Sequence, residues 1–343
     1  MSTLHWGILG TGTIAKTFTQ GLESSRKGRL AAVASRAQTT ADAFVAANCP
    51  PERSVRSHGS YEALLADPGV HAVYISTPHP DHAHWAIQVA RAKKHILCEK
   101  PLAVNHAQAK SIVDAAREND VFLMEAFMYR CHPQSARLVE LIRSKAIGDV
   151  RMIQAAFGFH APFDPESRLY KNSLAGGGIL DVGCYPVSMS RLVAGAAVGD
   201  DFADPTEVSG SGHLGETGID EYATATLRFP GNIIANVSTG VRLELDNTAR
   251  IFGTAGHIYI PHPWVPAREG GVAEIHVHRT GQEPEVVRTE TTQHLYAIEA
   301  DVVAENITRR QAPSPAMSWD DSLGNMKTLD AWRASFGFKY QFE

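Results

Sequence analysis

Residues 6–15 read Trp6-Gly7-Ile8-Leu9-Gly10-Thr11-Gly12-Thr13-Ile14-Ala15, and this stretch decides the fold. A short apolar run enters a Gly-x-Gly-x-x-Ala turn, and helical periodicity follows directly. Gly10 permits the tight turn, Gly12 lets a pyrophosphate approach the backbone, and Ala15 lets the helix pack closely on the strand. The start of that helix offers unpaired N–H groups and partial positive charge, so Gly10, Gly12, Thr13 and Ile14 are the expected phosphate contacts of a dinucleotide. Without its flanks such a triplet would be only a tight turn.

The pattern repeats outward from there. Strand-like runs at Trp6–Leu9, Leu30–Ala34, Val70–Ser76, His95–Cys98 and Val121–Met124 alternate with helical patterns at Thr13–Ser24, Thr39–Ala47, Tyr61–Ala66, His82–Ala92 and Asn105–Glu118. This predicts an α/β Rossmann domain over residues 1–126, a parallel doubly wound sheet covered on both faces. The texture then changes to a helix over Pro133–Lys145, a strand over Gly148–Phe159, a glycine loop and a helix near Asp181–Val193. From Pro205 to Val287 polar and apolar residues alternate, which predicts an open antiparallel or mixed sheet. Helices at Leu295–Arg309 and Ser322–Gly337 end the chain. Residues 127–343 are expected to form a second domain that binds substrate and dimerises. A sheet with helices on one side leaves its other, apolar face exposed, and a partner normally covers such a patch, so a homodimer or higher homo-oligomer is expected, with Thr224–Phe229 and Ile233–Val241 contributing.

Composition narrows the function. The 343 residues, 44% hydrophobic and 20% charged, exclude disordered and fibrous classes and suffice for about two domains. Thirty-two basic against 37 acidic residues give a net charge of −5, with no basic block, so nucleic acid is not an expected partner. The longest stretch without a charged residue, Ile251–Ala267, contains Gly253, Gly256, Pro261, Pro263 and Pro266, which excludes it as a membrane helix. The N-terminal residues lack a signal-peptide pattern, and a cytoplasmic location is expected. Cys49, Cys98, Cys131 and Cys184 form no C-x-x-C pair, which suggests neither a disulfide framework nor structural zinc.

Three further stretches carry chemistry. The second strand ends at Ser35-Arg36, where an NAD-preferring fold places an acid against the ribose 2′-hydroxyl; a hydroxyl and a guanidinium there favour the 2′-phosphate of NADP(H), with NAD(H) as the second choice. Glu99-Lys100-Pro101 lies at the carboxyl end of a strand, where ligands of this architecture bind, and a half-desolvated lysine there can exchange a proton with a substrate oxygen. His79, His82 and His84 follow the fourth strand without a convergent set of acid or cysteine ligands, and no metal is expected.

Taken together, GILGTGTIA, VYISTPHPDHAHWAIQVARAKKHILCEKPLAVN, EAFMYRCHPQ and AGGGILDVGCYPVS resemble, in this order and spacing, the glucose-fructose oxidoreductase / inositol dehydrogenase family. Within it the similarity is to dimeric dihydrodiol dehydrogenases and NADP-linked sugar dehydrogenases, and it extends along nearly the whole chain. The resemblance implies a Rossmann domain followed by an α+β domain with an open, mostly antiparallel sheet, and an active site between them. It assigns Lys100 as the catalytic lysine and Asp181 and Tyr185 as the D-x-x-x-H/Y pair. It also implies that the loop Thr77-Pro78-His79 lines the cofactor; His82 and Glu99 lie near that site in the sequence, and Arg168, upstream of the glycine loop, can reach a substrate or cofactor oxygen. The implied activity is reversible NADP-linked oxidation of a sugar, polyol or cyclic-diol hydroxyl to a carbonyl or lactone. Two alternatives stay open: an NAD-dependent redox-cycle glycosidase, and a non-catalytic nucleotide- or sugar-sensing regulator. A phenol beside an ammonium is stabilised as phenolate, so Lys100 is expected to tune Tyr185 for proton transfer while Asp181 orients the substrate.

Overall fold

The computed structural model describes residues 3–343. Its first 126 residues hold six strands, β1 (Leu4–Leu9), β2 (Gly28–Ala34), β3 (Arg56–His58), β4 (Ala72–Ile75), β5 (His95–Glu99) and β6 (Leu123–Ala126). They form one parallel sheet in the order β3-β2-β1-β4-β5-β6. The helices between them are α1 (Thr13–Leu22), α2 (Gln38–Asn48), α3 (Tyr61–Leu65), α4 (His82–Arg91) and α5 (His106–Glu118). Every residue of β4 and β6 is buried, as a sheet covered on both faces requires. The edge strand β3 is three polar residues long, too short and too polar to leave a periodic signal.

Strand order reverses between β1 and β4, and the crevice outside their carboxyl ends is where this architecture binds ligands. Gly10 leaves β1 with φ 106°, a conformation natural only to glycine. A Cβ at Gly10 would lie 2.9 Å from the Ser76 hydroxyl at the end of β4. Beneath the crevice Phe18 of α1 stacks on Tyr74 of β4, with ring centroids 3.9 Å apart, and Trp6 meets Phe18 edge-on.

The rest of the chain builds an eight-stranded sheet. After α6 (Met128–Cys131) and α7 (Pro133–Arg143) come β7 (Val150–Gly158), a π-helical turn (Ile179–Gly183) and α8 (Cys184–Val198). Strands β8 (Glu207–Leu214), β9 (Asp220–Phe229), β10 (Ile233–Gly240), β11 (Ala249–Gly253), β12 (Gly256–Ile260), β13 (Gly271–Arg279) and β14 (Glu285–Thr291) follow, then α9 (Leu295–Asn306) and α10 (Trp319–Ser335). The order is β14-β13-β12-β11-β7-β10-β9-β8, antiparallel except for β10 on β7. Helices α7, α8 and α10 pack on one face.

The other face corrects part of the expectation for association. In Thr224–Phe229 and Ile233–Val241 the apolar halves, Ala225, Leu227, Phe229, Ile233, Ala235 and Val237, are buried, and their partners on the open face are chiefly polar: Thr224, Thr226, Arg228, Asn236 and Ser238. Period-two alternation sends the apolar set to the helical face, where α8 packs on β10 and α10 on β8. The large apolar groups left exposed on the open side include Met152, Tyr222 and Val272, with Leu243 just beyond β10.

Buried charges lock the elements around the crevice. Arg130 of α6 and Arg191 of α8 both pair with Asp321 of α10, Arg130 at 2.6 Å, and Arg191 also holds Asp204 at 2.6 Å. Removing one partner of such a buried set leaves an uncompensated charge, a loss of about 3–5 kcal/mol. The C-terminal tail closes on the glycine loop, where the Tyr340 hydroxyl donates to the Gly176 carbonyl at 2.8 Å.

Candidate active site

Between the two sheets lies a cleft of about 700 Å³ lined by both halves of the chain. Its floor on the first sheet is the Gly10–Ile14 turn, with Ser35 and Arg36 at the end of β2, the Ser76–His79 loop after β4, and Glu99-Lys100 after β5. Across from them stand Arg168, Asp181 and Tyr185. All fifteen residues marked in the sequence line this one cleft, although Lys100 and Asp181 are 81 positions apart.

The Gly10–Ile14 turn is shaped for an anion. Helix α1 has Gly12 as its N-cap, no side-chain cap and no acid in its first turn, whereas α3, α5, α9 and α10 are each capped by a side chain. Its first N–H groups therefore face the cleft unpaired. A Cβ at Gly12 would meet nothing within 4 Å, so the space beside the turn belongs to the cleft. These features fit the diphosphate of a nicotinamide dinucleotide. Ser35 is buried, its N–H donating to the His58 carbonyl at 3.1 Å. Arg36 is exposed, with no ion pair among the described residues.

Asp181 is the electrostatic hub. It sits in the π-helical turn, and Cys184 starts α8 immediately after it. Pro186 falls in the first turn of α8, and Asp181 and Tyr185 both line the cleft. The turn is positioned by Asp220 of β9, whose carboxylate accepts the Ile179 N–H at 2.6 Å. Burial pushes the Asp220 carboxyl up to about 7 against that hydrogen bond. Burial alone would also raise Asp181, yet Arg168, followed by Lys100, overcomes it and holds the carboxyl at about 2. Arg168 Nη1 donates to Asp181 Oδ1 at 3.0 Å. Lys100 Nζ donates to the Asp181 carbonyl at 2.7 Å and lies 3.9 Å from Oδ1.

Tyr185 departs from expectation. The Lys100 ammonium lies over its ring, 5.4 Å from the centroid, and the hydroxyl contacts Met128 Sδ at 3.5 Å. Phe127 and Phe157 meet the ring edge-on, and Trp264 stacks on Phe157. Burial pushes the phenol well above 10, with Tyr296 and Glu99 adding to the effect. The ammonium thus faces the ring, and the hydroxyl points to the Met128 sulfur among apolar walls.

Two other marked residues point inward. His82 is fully buried, its ring nitrogens 2.9 Å from the carbonyls of Thr77 and Pro101. It braces the β4 loop against the β5 loop and has no ring nitrogen left for a ligand. Glu99 accepts from Tyr74 and from its neighbour Lys100 N–H at 3.2 Å, holding the base of the lysine. His79 contacts the Ala175 carbonyl at 3.2 Å, and burial, reinforced by His82 and Arg168, lowers its pKa to about 3, so it is neutral. No group of three or more His, Cys, Asp or Glu among the described residues is arranged to hold a metal.

Sequence reasoning missed Tyr61, Met128, Phe157, Val265, Arg268 and Tyr296, which also line the cleft. Phe157 and Tyr296 lie in a strand and a helix whose existence was legible, but which face meets the crevice is a tertiary matter. Arg268 sits in an irregular loop with no local signal.

Comparison with known proteins fits this geometry. Residues 4–127 match the model of the oxidoreductase family with an NAD-binding Rossmann fold, and residues 135–259 match the GFO/IDH/MocA C-terminal domain. The chain is 36% identical to trans-1,2-dihydrobenzene-1,2-diol dehydrogenase of Danio rerio over 77% of this chain and 76% of that protein. It is 34% identical to the enzyme of that name from Xenopus laevis over 98% of each. A 3-ketoreductase from Actinomadura kijaniata, solved with NADP and TDP-benzene, superposes with a TM-score of 0.83 at 25% identity, covering 98% of both chains. The chain belongs to the GFO/IDH/MocA family of NAD(P)-dependent oxidoreductases.

Proposed function

From this membership we propose that the chain is an NADP(H)-preferring dehydrogenase that reversibly oxidises a secondary hydroxyl of a sugar, polyol or cyclic diol to the carbonyl or lactone. The observation that carries the reading is that Lys100, Asp181 and Tyr185 meet in the one cleft that also holds the uncapped start of α1. Relatives named for a diol dehydrogenase and a 3-ketoreductase support hydroxyl–ketone chemistry. When bound, the nicotinamide would donate or accept the hydride.

The chain's own residues manage binding and the proton. Gly10 to Ile14 would hold the diphosphate, and Ser35 and Arg36 the 2′-phosphate. Asp181, ionised throughout the neutral range, aligns Lys100 and offers its carboxylate to a substrate hydroxyl. Lys100 exchanges the proton with the reacting oxygen. Tyr185 stays a neutral phenol whose weak hydrogen bond to sulfur is readily redirected to the substrate. The aromatic wall of Phe157 and Tyr185 excludes water from the reacting carbon. A homodimer through the open sheet face completes the reading.

Fluorescence titration tests the cofactor half: NADPH binds at least about tenfold more tightly than NADH, and Arg36→Asp reverses the order, as one charge-assisted bidentate contact allows. Equal affinities in the wild type would remove the NADP claim. A panel of sugars, polyols and diols assayed for NADPH formation tests the other half, and no turnover with any of them would overturn it.

A further inference from the structure

Four side-chain cations line the cleft: Arg36, Lys100, Arg168 and Arg268. Lys100 and Arg168 are both engaged with Asp181, and Arg36 stands at the end of β2, where a 2′-phosphate is expected. Lys16, the basic residue in the first turns of α1, is exposed and outside the cleft lining. The Gly10–Ile14 turn thus offers only fractional charge from backbone N–H groups, and Arg268 is the cation whose charge nothing in the cleft uses. Its guanidinium makes no hydrogen bond or ion pair among the described residues, while its neighbour Glu269 pairs with His294 at 3.4 Å.

The backbone carrying Arg268 is pinned. Trp264 donates its Nε1–H to the Ala156 carbonyl at 2.9 Å, anchoring the loop on β7. The Leu295 N–H at the start of α9 donates to the Arg268 carbonyl at 2.8 Å, and α9 packs against α1, with Tyr296 against Gly21. A main chain fixed beside the C-terminal end of α1 therefore carries an exposed, unpaired guanidinium into the cleft that the phosphate turn also lines. Such a group is suited to a phosphate oxyanion, which it can meet with two parallel N–H donors.

We infer that Arg268 is a clasp contributed by the second half of the chain, closing over the diphosphate of the dinucleotide held on the Gly10–Ile14 turn. The inference rests on the proposed nucleotide binding and adds that both halves of the chain hold the nucleotide. The same contact makes cofactor binding draw the two halves together.

Equilibrium titrations of the full chain test it, with NADPH, ADP-ribose and 2′-AMP as probes. Arg268→Gln should weaken NADPH and ADP-ribose, which contain the diphosphate, by about tenfold while leaving 2′-AMP within about twofold, and Arg268→Lys should recover part of the loss. Raising ionic strength should narrow the gap between wild type and Arg268→Gln. Because the side chain is exposed, thermal midpoints should coincide, which separates lost contact from lost fold. Equal weakening of 2′-AMP would overturn the clasp in favour of a general field. Unchanged ADP-ribose and NADPH binding, with KM raised only for anionic substrates, would overturn it in favour of a substrate contact. A wild type that binds neither NADPH nor ADP-ribose would overturn the proposed function itself.

Discussion

In the six-stranded sheet, β4 and β6 are buried along their whole length, whereas in the eight-stranded sheet β9 alternates buried residues with exposed or half-buried ones from Tyr222 to Phe229. Helices on both faces of the first leave only strand ends for chemistry, and that is where Gly10, Ser76 and Glu99-Lys100 emerge. Helices on one face of the second leave a broad mixed surface open, and its contribution to the cleft comes from β7, the π-helical turn and loops. A sheet closed on both sides is thus committed to a crevice, and one closed on a single side can carry a pocket and an interface together.

The sharpest test of this division is at a strand end. Lys100→Met should lower turnover by about 100-fold or more, since a positioned acid–base group contributes roughly 10² to 10⁴, while NADPH affinity stays within about fivefold because the phosphate contacts lie elsewhere. Single-turnover rates beside fluorescence titration separate the two quantities. Near-normal turnover would show that the chemistry is not at the end of β5.

The open face provides the next test. Light scattering at micromolar concentration should report a dimer, and Leu243→Asp, which places a charge beside exposed Tyr222, should weaken association by on the order of tenfold or more. A monomeric wild type would break the comparison, because the surface would then have no partner.

The smallest effect is expected at Tyr185. Its phenol is held well above 10 by burial, so it remains protonated through the assay range. Tyr185→Phe should cost about tenfold in turnover or less, the value of one hydrogen bond, and leave the basic limb of the pH–rate profile in place. A limb that moves with this substitution would return the proton to the tyrosine. Asp181, at about 2, likewise contributes no acid limb above about pH 4, where its carboxylate is already fully formed.

Much of this molecule was legible in the chain. The Gly10–Ala15 turn between an apolar run and a helix, and the β–α alternation up to Met124, encode the first sheet locally, since strand and helix periodicities declare themselves within a few residues. The edge strand Arg56–His58 and the short α6 were not legible, being too brief for any period. The Asp181–Tyr185 spacing marked two members of the site, but the π-helical turn that carries Asp181 depends on Asp220, 41 positions beyond the N–H it accepts.

The sequence by itself determined the two-sheet architecture, the dinucleotide turn and the identity of fifteen of the residues that meet in the cleft. Only the tertiary structure decided how they meet: that Lys100 lies over the Tyr185 ring instead of at its hydroxyl, that His82 spends both ring nitrogens on loop carbonyls, that the helical face takes the apolar half of β9 and β10, and that Arg268 enters from a distant loop. Periodicity and turn chemistry are properties of neighbouring residues. The direction of an ammonium and the burial of a phenol are set by atoms brought together across the whole chain, and no local pattern records them.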